Sequence, residues 1–546
     1  MKITLAQLNF RIGDFEGNLS KMLEAVAKAK AAKADIIVFG ELAVCGYPPR
    51  DFLEFYDFIN RCEDSISELC KVAHGIAIAV GSPTKNPLIE GKDLFNSAYF
   101  LVDGKVSHVA HKALLPTYDI FDEYRYFEPA INFSIVEYKG KRIALTVCED
   151  IWNIGNENPI YTVCPMDEMM PQKPDFIINL SASPFSYKQA AERLNIIRAN
   201  VERYKIPMFY VNHVGAQTEL IFDGGSVVMC ANGETFNEMS YFKEEIATYD
   251  LQDVLENKGI IGEQPKDKMT MLHDALVTGV QDYFKKLGFK KAILGLSGGI
   301  DSAVTLVIAT RALGAENMRV VLMPSQFSSD HSVDDARQLA ENLGVQYDIV
   351  PIKPIFDTYM KSLQTQFEGQ PFNITEENLQ ARSRGMILMA MSNKFGHIVL
   401  NTSNKSEAAV GYGTLYGDMC GGLSVIGDLY KTEVFALARY MNKDGEVIPE
   451  NTIVKPPSAE LRPDQKDSDS LPEYDILDEI LFQYIEKRQG PKEIISMGFD
   501  EALVKRTLRL VNINEFKRFQ TAPTLRVSPK AFGMGRRMPI VAKYLS

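Results

Sequence analysis

A chain of 546 residues with 46% hydrophobic and 24% charged residues is globular in composition and too long for one hydrophobic core, so two large domains, or three, are expected. A formal charge of −12 excludes a nucleic-acid coat and suits small ligands held in local basic pockets. The seven cysteines form no C-x-x-C pair, which points to reduced thiols in the cytoplasm and away from a structural zinc site.

The opening MKITLAQLNF reads as a short alternating strand without an apolar signal core, and no later run approaches eighteen uncharged apolar residues. A soluble enzyme with no membrane partner is expected. ITLAQL is followed by a helical pattern in NLSKMLEAVAKAKAA, a strand in DIIVFGEL, a helix around 60 to 73 and a strand in GIAIAVGSP. This alternation is that of an α/β domain. Asp103-Gly104, between the alternating runs of SAYFLVDGKVSHVAHK, signals a hairpin. RIALTVC, DFIINLSASP and PMFYVNHVG give three more buried strands, with a helix near 188 to 204 between the last two.

Around 250 to 268 the chain loses periodicity and becomes polar, so the first domain is set at 1 to 250, a linker at 251 to 268 and a second domain at 269 to 546. There the pattern predicts a helix over 269 to 287, strand KAILGL, helix 301 to 313, strand MRVVLMPS, helix 331 to 343, strand QYDIVPI, helix 376 to 395 and strand HIVLNTS. That is a doubly wound, Rossmann-like parallel sheet. The stretch 460 to 475, ELRPDQKDSDSLPEYD, reads as an exposed loop.

In TVCEDIWN, Cys148 ends an apolar run and is followed by Glu149 and Asp150, whose charge disfavours a thiolate. Cys148 is thus either a core thiol or a nucleophile activated from elsewhere in the chain. Glu41 in IIVFGELAVCGYPP and Lys112 in HVAHKALLPTYD also stand at or just after strand ends, where α/β active sites collect. Taken singly, Glu41 could cap a helix and Lys112 could face solvent. Amide cleavage needs a nucleophile, a base and positive charge beside the developing oxyanion, roles that a Cys, a Glu and a Lys can fill.

Four ordered phrases, GELAVCGYPP, KALLPTYDIFDEYRYF, VCEDIW and NLSASPF, resemble the nitrilase, or carbon-nitrogen hydrolase, superfamily over roughly the first 250 residues. The resemblance implies an α-β-β-α sandwich with Cys148 as nucleophile, Glu41 as general base and Lys112 as cationic stabiliser. It further implies that Tyr118 and Ser183 contact glutamine. That family usually shows a basic residue six positions after the serine, where this chain has Gln189, so the preceding Lys188 is taken in its place. Glu128 is a candidate second acid supporting Lys112. The Glu149 backbone N–H would add an oxyanion donor, and its side chain would meet the ammonium end of glutamine.

In the second half, KAILGLSGGIDSAVTLVIATRAL is strand, Gly-rich turn, helix, and it is not a Walker A loop because no G-K-[ST] follows. Backbone N–H groups of Ser297, Gly298 and Gly299 can close around a pyrophosphate at the helix N-terminus, and Asp301 offers a carboxylate for magnesium. The whole turn Gly295, Leu296, Ser297, Gly298, Gly299, Ile300, Asp301, Ser302 resembles the ATP pyrophosphatase signature. The segment NLQARSRGMILMAMSNKFGHIVLNTSNKSEAAVGYGTLYGD and the tail at 526 to 540 resemble the NAD synthetases. On that resemblance Thr402 touches ATP, Asn378, Glu407 and Lys530 contact deamido-NAD, and Glu407 joins Asp301 around Mg2+. Arg382, Arg384 and Lys431 are further anion-contact candidates beside this site. The tail from Arg526 carries five Lys or Arg and no acid, and is expected to fold over an anionic ligand or a neighbouring subunit.

The two resemblances together imply ATP-dependent amidation of deamido-NAD with ammonia from L-glutamine, in a homo-oligomer. Free ammonia is mostly protonated at neutral pH and then has no lone pair for attack, so a protected passage between the two sites is expected. Asparagine synthetases join the same kind of domain to a glutaminase with an N-terminal cysteine, whereas this chain begins Met-Lys.

Overall fold

Strands whose residues are apolar on both faces are those that other layers cover on both sides, and the first half of the chain is built from such strands. The computed structural model describes every residue except 158, 159, 464, 466, 468–470, 545 and 546. It divides the chain into two compact units, Met1–Lys266 and Asp267–Ser546.

In the first unit, one six-stranded sheet runs Glu245–Asp250, Lys2–Gln7, Ile36–Val38, Ala77–Lys85, Leu94–Val102, Lys105–His111. The other runs Thr235–Glu238, Val227–Met229, Met208–Val211, Phe176–Leu180, Lys141–Val147, Val136–Tyr138. Because side chains alternate along a strand, Ile36 and Val38 of the first sheet, with Ile143, Leu145 and Val147 of the second, share one core between the sheets. Ile37 points the other way, onto the helices Phe15–Ala31 and Tyr56–Val72. Ala144 and Ile177 turn outward onto the helix Gln189–Tyr204. The result is the expected α-β-β-α sandwich. The hairpin at Asp103-Gly104 is also present, both residues having positive φ, at 49° and 80°.

The segment read as a linker departs from that reading. Leu251 and Val254 are buried in the inter-sheet core, and Lys266 reaches Glu238 at 2.7 Å, so apolar burial and an ion pair hold it to the first unit.

The second unit carries a five-stranded parallel sheet in the order Gln346–Ile349, Met318–Leu322, Ala292–Gly295, Ile398–Asn401, Leu423–Ser424. Ala292–Gly295, first in sequence, is central, so the order reverses beside it and opens a crevice at the strands' carboxyl ends. The helices Ile300–Leu313 and Ile374–Phe395 both end at glycines, Gly314 and Gly396. A further helical layer, Tyr474–Ile485 and Glu501–Ile513, packs Leu477, Leu481 and Val511 against Ala409 and Val410.

Of the loop expected over 460 to 475, residues 464, 466 and 468–470 lie outside the described ones. The rest is not all exposed: Asp467 and Leu471 are buried, and Asp467 accepts from Tyr412 (3.2 Å) and Tyr474 (2.9 Å). The basic tail folds onto its own unit. Val527 and Ser528 N–H groups donate to Asp428 at 2.8 and 2.7 Å, and Arg536 pairs with Glu515 at 2.6 Å.

Candidate active sites

The first site forms where strand ends of the two sheets meet. Lys112 follows the strand Lys105–His111 and Glu41 follows Ile36–Val38; both are fully buried, with Lys112 Nζ 2.7 Å from Glu41 Oε1. A third charge completes the cluster: Lys112 Nζ also donates to both oxygens of Glu123 at 2.8 Å. Burial works against the ammonium, but Glu123, Glu41 and Cys148 outweigh it and hold Lys112 well above the usual lysine value. Glu41 is fixed from three sides: Asn96 Nδ2 donates to Oε1 (2.7 Å), Ala182 N donates to Oε2 (3.1 Å), and the His213 ring hydrogen-bonds its carbonyl (2.7 Å).

Cys148 is buried directly after the strand Lys141–Val147, in the left-handed region at φ 44°. Such a conformation costs a non-glycine residue about 1–3 kcal/mol and recurs at functional turns. Burial and then the Glu41 carboxylate push the thiol well above its ordinary value, against the attraction of Lys112. The resting group is therefore a thiol with Glu41 and Lys112 in electrostatic reach, which suits proton removal at the moment of attack.

The expected support of Lys112 by Glu128 is corrected to Glu123. Glu128 instead accepts from Lys92 N at 2.8 Å, because the short turn Glu123–Arg125 directs the earlier acid inward, where Tyr47 OH also donates to it (2.8 Å). Glu149 is buried and its Oε1 accepts from Tyr118 OH at 2.8 Å and Tyr161 OH at 2.6 Å. Burial raises its carboxyl, while Tyr161, Lys112 and Tyr118 oppose the rise. Tyr118 was legible in the sequence; Tyr161, Asn96 and Tyr47 were not, as they reach the site only through the fold. The hydroxyl of Ser183 accepts from Gln189 Nε2 at 3.3 Å, whereas the Lys188 ammonium lies 5.5 Å over the Tyr187 ring.

The second site is a cavity of about 310 Å³ in the crevice of the parallel sheet. Gly295, Leu296, Ser297, Gly299, Ile300, Asp301, Ser302, Thr402 and Glu407 all line it, with Arg384 and Lys431. Gly298, Asn378, Lys530 and Arg382 lie outside that lining. Gly298 has φ 79°, and a Cβ there would stand 2.2 Å from the Ser332 carbonyl oxygen, so its role is to let the turn pass close to that backbone. Asn378 accepts from Thr414 Oγ1 (2.8 Å), the Lys530 carbonyl accepts from Lys405 Nζ (2.9 Å), and Arg382 donates to the Leu415 carbonyl (3.2 Å).

The helix Ile300–Leu313 has no side-chain cap at its N-terminus, where an anion can bind, while in the turn before it Ser297 N donates to Ser302 Oγ (3.3 Å) and Gly299 N to Ser297 Oγ (3.1 Å). Asp301 is held by Asn404 Nδ2 (2.9 Å) and Lys431 Nζ (2.5 Å), and Lys431 also lies 3.5 Å from Glu407. Burial and then Asp301 push the Glu407 carboxyl up to about 8. Arg384 is lowered to about 10 by burial, with Asp418 opposing. Two carboxyl groups, one of them raised to about 8, an ammonium and an uncapped helix terminus share this cavity, a set that a polyphosphate and its counter-ion can engage.

Family models agree with this division: carbon-nitrogen hydrolase matches residues 2–257 and NAD synthase matches 272–521. A carbon-nitrogen ligase carrying its own glutaminase unit is the class these features define. The glutamine-dependent NAD(+) synthetase of Synechocystis sp. is 46% identical over 550 residues, covering 99% of both chains. That of Thermotoga maritima is 41% identical over 580 residues, covering 100% of this chain and 99% of its own. The solved glutamine-dependent NAD+ synthetase of Acinetobacter baumannii, in complex with ADP, superposes with a TM-score of 0.79 at 39% identity, over 99% of this chain and 98% of its own. This chain belongs to the glutamine-dependent NAD(+) synthetase family.

Proposed function

We infer that this chain converts deamido-NAD to NAD+ with ATP and L-glutamine. The observation that carries the reading is the pairing, in one chain, of a buried Glu41–Lys112–Glu123 cluster around Cys148 with a nucleotide-sized cavity at the SGGIDS turn.

In the first unit, Cys148 attacks the glutamine side-chain carbonyl while its proton passes to Glu41. Lys112, with the Glu149 backbone N–H, stabilises the oxyanion. As the tetrahedral intermediate collapses, the amide nitrogen takes the proton from Glu41 and leaves as ammonia; Glu41 then takes a proton from water, whose attack on the thioester frees glutamate, and returns that proton to Cys148. Glutamine is oriented by Glu149 on its ammonium and by Tyr118, Ser183 and Lys188 around its remaining polar groups.

In the second unit, the carboxylate of deamido-NAD attacks the α-phosphorus of ATP, releasing diphosphate and leaving an acyl-adenylate. Ammonia displaces AMP to give the amide. The SGGIDS turn and Thr402 hold ATP, Asn378, Glu407 and Lys530 hold deamido-NAD, and Lys431 and Arg384 offset phosphate charge. Asp301 and Glu407 are the oxygen donors that would hold magnesium, in place of the Lys431 ammonium that lies 2.5 and 3.5 Å from them, with phosphate oxygens completing its shell. Bound there, Mg2+ would neutralise charge on the departing diphosphate.

The reading takes the chain to act in the cytoplasm as a homo-oligomer. Among the described residues no helix is long and apolar enough to cross a membrane. The deciding test is Cys148→Ala, assayed for NAD+ formation with glutamine and with ammonium salt. Glutamine-driven synthesis should disappear and ammonium-driven synthesis should persist. Loss of both, or of neither, would refute the division of labour.

A further inference from the structure

Ser183 lies just past the end of the strand Phe176–Leu180, where ladder pairing to the neighbouring strand Met208–Val211 stops at Leu180 and Val211. The residue that follows Val211 is Asn212, and its side chain takes over as the next ladder partner. Asn212 Oδ1 accepts from Ser183 N at 2.8 Å, and Asn212 Nδ2 donates to Ser183 O at 3.2 Å. A side-chain amide thus makes with Ser183 the two bonds that a backbone peptide makes inside a sheet.

The amide is itself held from behind. The two hydrogens of Asn212 Nδ2 serve Gly224 O (3.0 Å) and Asp223 Oδ1 (3.3 Å) as well as Ser183 O, so one of them is shared between two acceptors, and Asp223 takes a two-pronged contact from Arg193, at 2.9 and 3.0 Å. Arg193, Asp223 and Asn212 are all essentially excluded from solvent. An unpaired charge at that depth is costly, so the Arg193–Asp223 pair locks the rotamer of whatever it touches. Arg193 sits four residues beyond Gln189, on one face of the helix Gln189–Tyr204, and Gln189 Nε2 donates to Ser183 Oγ. The helix therefore grips Ser183 twice, through its hydroxyl directly and through its backbone by way of Asp223 and Asn212.

We propose that Asn212, backed by the Asp223–Arg193 pair, is a positioning residue that sets Ser183 for glutamine and so governs affinity for that substrate. The proposal rests on the assignment of Ser183 to glutamine. Ala182, the adjacent residue, is fixed independently through Glu41, which Lys112 and Asn96 also hold. Releasing Asn212 should therefore displace the substrate contact more than the base.

The experiment measures glutamine-driven and ammonium-driven NAD+ synthesis for Asn212→Ala, Gln189→Ala and Ser183→Ala. It also measures the rate at which iodoacetamide, which needs no recognition of glutamine, alkylates Cys148 in the full chain. Asn212→Ala should raise the glutamine KM about tenfold or more, the loss expected for a substrate contact worth 1.4 kcal/mol. Its kcat, its alkylation rate and its ammonium-driven synthesis should stay within about threefold of the parent. Gln189→Ala, which removes only the bond to the hydroxyl, should raise KM less. A KM unchanged in Asn212→Ala, or a fall in kcat or alkylation without a rise in KM, would overturn the proposal, because either would make Asn212 a residue of the fold alone. If Ser183→Ala raises KM and Asn212→Ala does not, only this inference fails. If Ser183→Ala leaves KM unchanged, the assignment of Ser183 fails and takes the inference with it.

Discussion

Tyr161→Phe deletes one oxygen and tests how a carboxylate with only 4% of its surface exposed is kept available to a cationic ligand. Glu149 Oε1 accepts from Tyr161 at 2.6 Å and from Tyr118 at 2.8 Å. Burial raises the Glu149 carboxyl, and the Tyr161 hydrogen bond is the foremost opposing influence. Burial, followed by the nearby Glu149 charge, also holds the Tyr161 phenol well above its ordinary value, so it remains a donor across the working pH range. A hydrogen bond to a charged group contributes about 1.5–3 kcal/mol. At 1.36 kcal/mol for each pH unit, its removal should raise the Glu149 pKa by about one to two pH units. The sign follows from the form that binds: the ammonium of glutamine needs the carboxylate, and losing a donor favours the neutral acid. The acid limb of glutamine kcat/KM should therefore move to higher pH in Tyr161→Phe, while ammonium-driven synthesis keeps its profile. An acid limb that stays in place, with glutamine kcat/KM within about twofold of the parent, would refute the role given to Glu149.

Glu123→Gln removes one of the two carboxylates that hold Lys112, and glutamine hydrolysis should fall about 100-fold or more, as when a preorganised charge is lost from an oxyanion site. Glu128→Gln, whose carboxylate accepts from Lys92 N rather than from Lys112, should leave hydrolysis within about twofold; equal losses in the two variants would count against Glu123. Gly298→Ala forces a Cβ to 2.2 Å from the Ser332 carbonyl at φ 79°, so synthesis should be lost with both nitrogen donors while Cys148 remains open to alkylation. Full synthesis in that variant would show that the turn does not hold ATP. Lys405→Met removes the ammonium that lies 2.9 and 3.0 Å from Asp428 and Glu486 in a fully buried site. Breaking a buried pair costs about 3–5 kcal/mol, so the denaturation midpoint of the second unit should drop and the tail beyond residue 526 should become open to proteolysis. An unchanged midpoint would mean that the tail is not anchored there.

Many of the strands legible in the sequence, such as Ile143 to Val147, are buried on both faces, where an unbroken apolar run is itself the signal, whereas Lys105–His111, half exposed, was legible from its alternation after Asp103-Gly104. Strands that were not read, Val227–Met229 and Thr235–Glu238, are three and four residues long, and Thr235, Asn237 and Glu238 of the latter are polar yet buried. The site divides in the same way. Cys148, Glu41 and Lys112 stand in recognisable phrases, but Asn96 meets Glu41 across 55 residues and leaves no local pattern. Between Glu123 and Glu128 the sequence offers two equivalent acids, and only the turn Glu123–Arg125 decides which one reaches the lysine. For Lys188 and Gln189, charge favours the lysine, while the start of the helix at Gln189 turns the neutral residue onto Ser183.

Asp150 shows how far charge alone misleads. Beside Cys148 it reads as a group that opposes thiolate formation, yet one of its oxygens accepts from Ala113 N and Leu114 N, at 2.9 and 3.0 Å, and the other from Val147 N at 3.1 Å. It therefore ties the residues directly after Lys112 to the strand end directly before Cys148. Burial pushes its carboxyl up to about 6, and those three backbone donors oppose the rise. The cost of a buried acid next to Cys148 is thus offset by a strut between the residues that follow Lys112 and the strand end before the thiol. Glu149, the other acid, is bound by two phenols. Neither carboxylate is an uncompensated neighbour of Cys148, because consecutive side chains meet different partners, Glu149 the two phenols and Asp150 the three backbone donors.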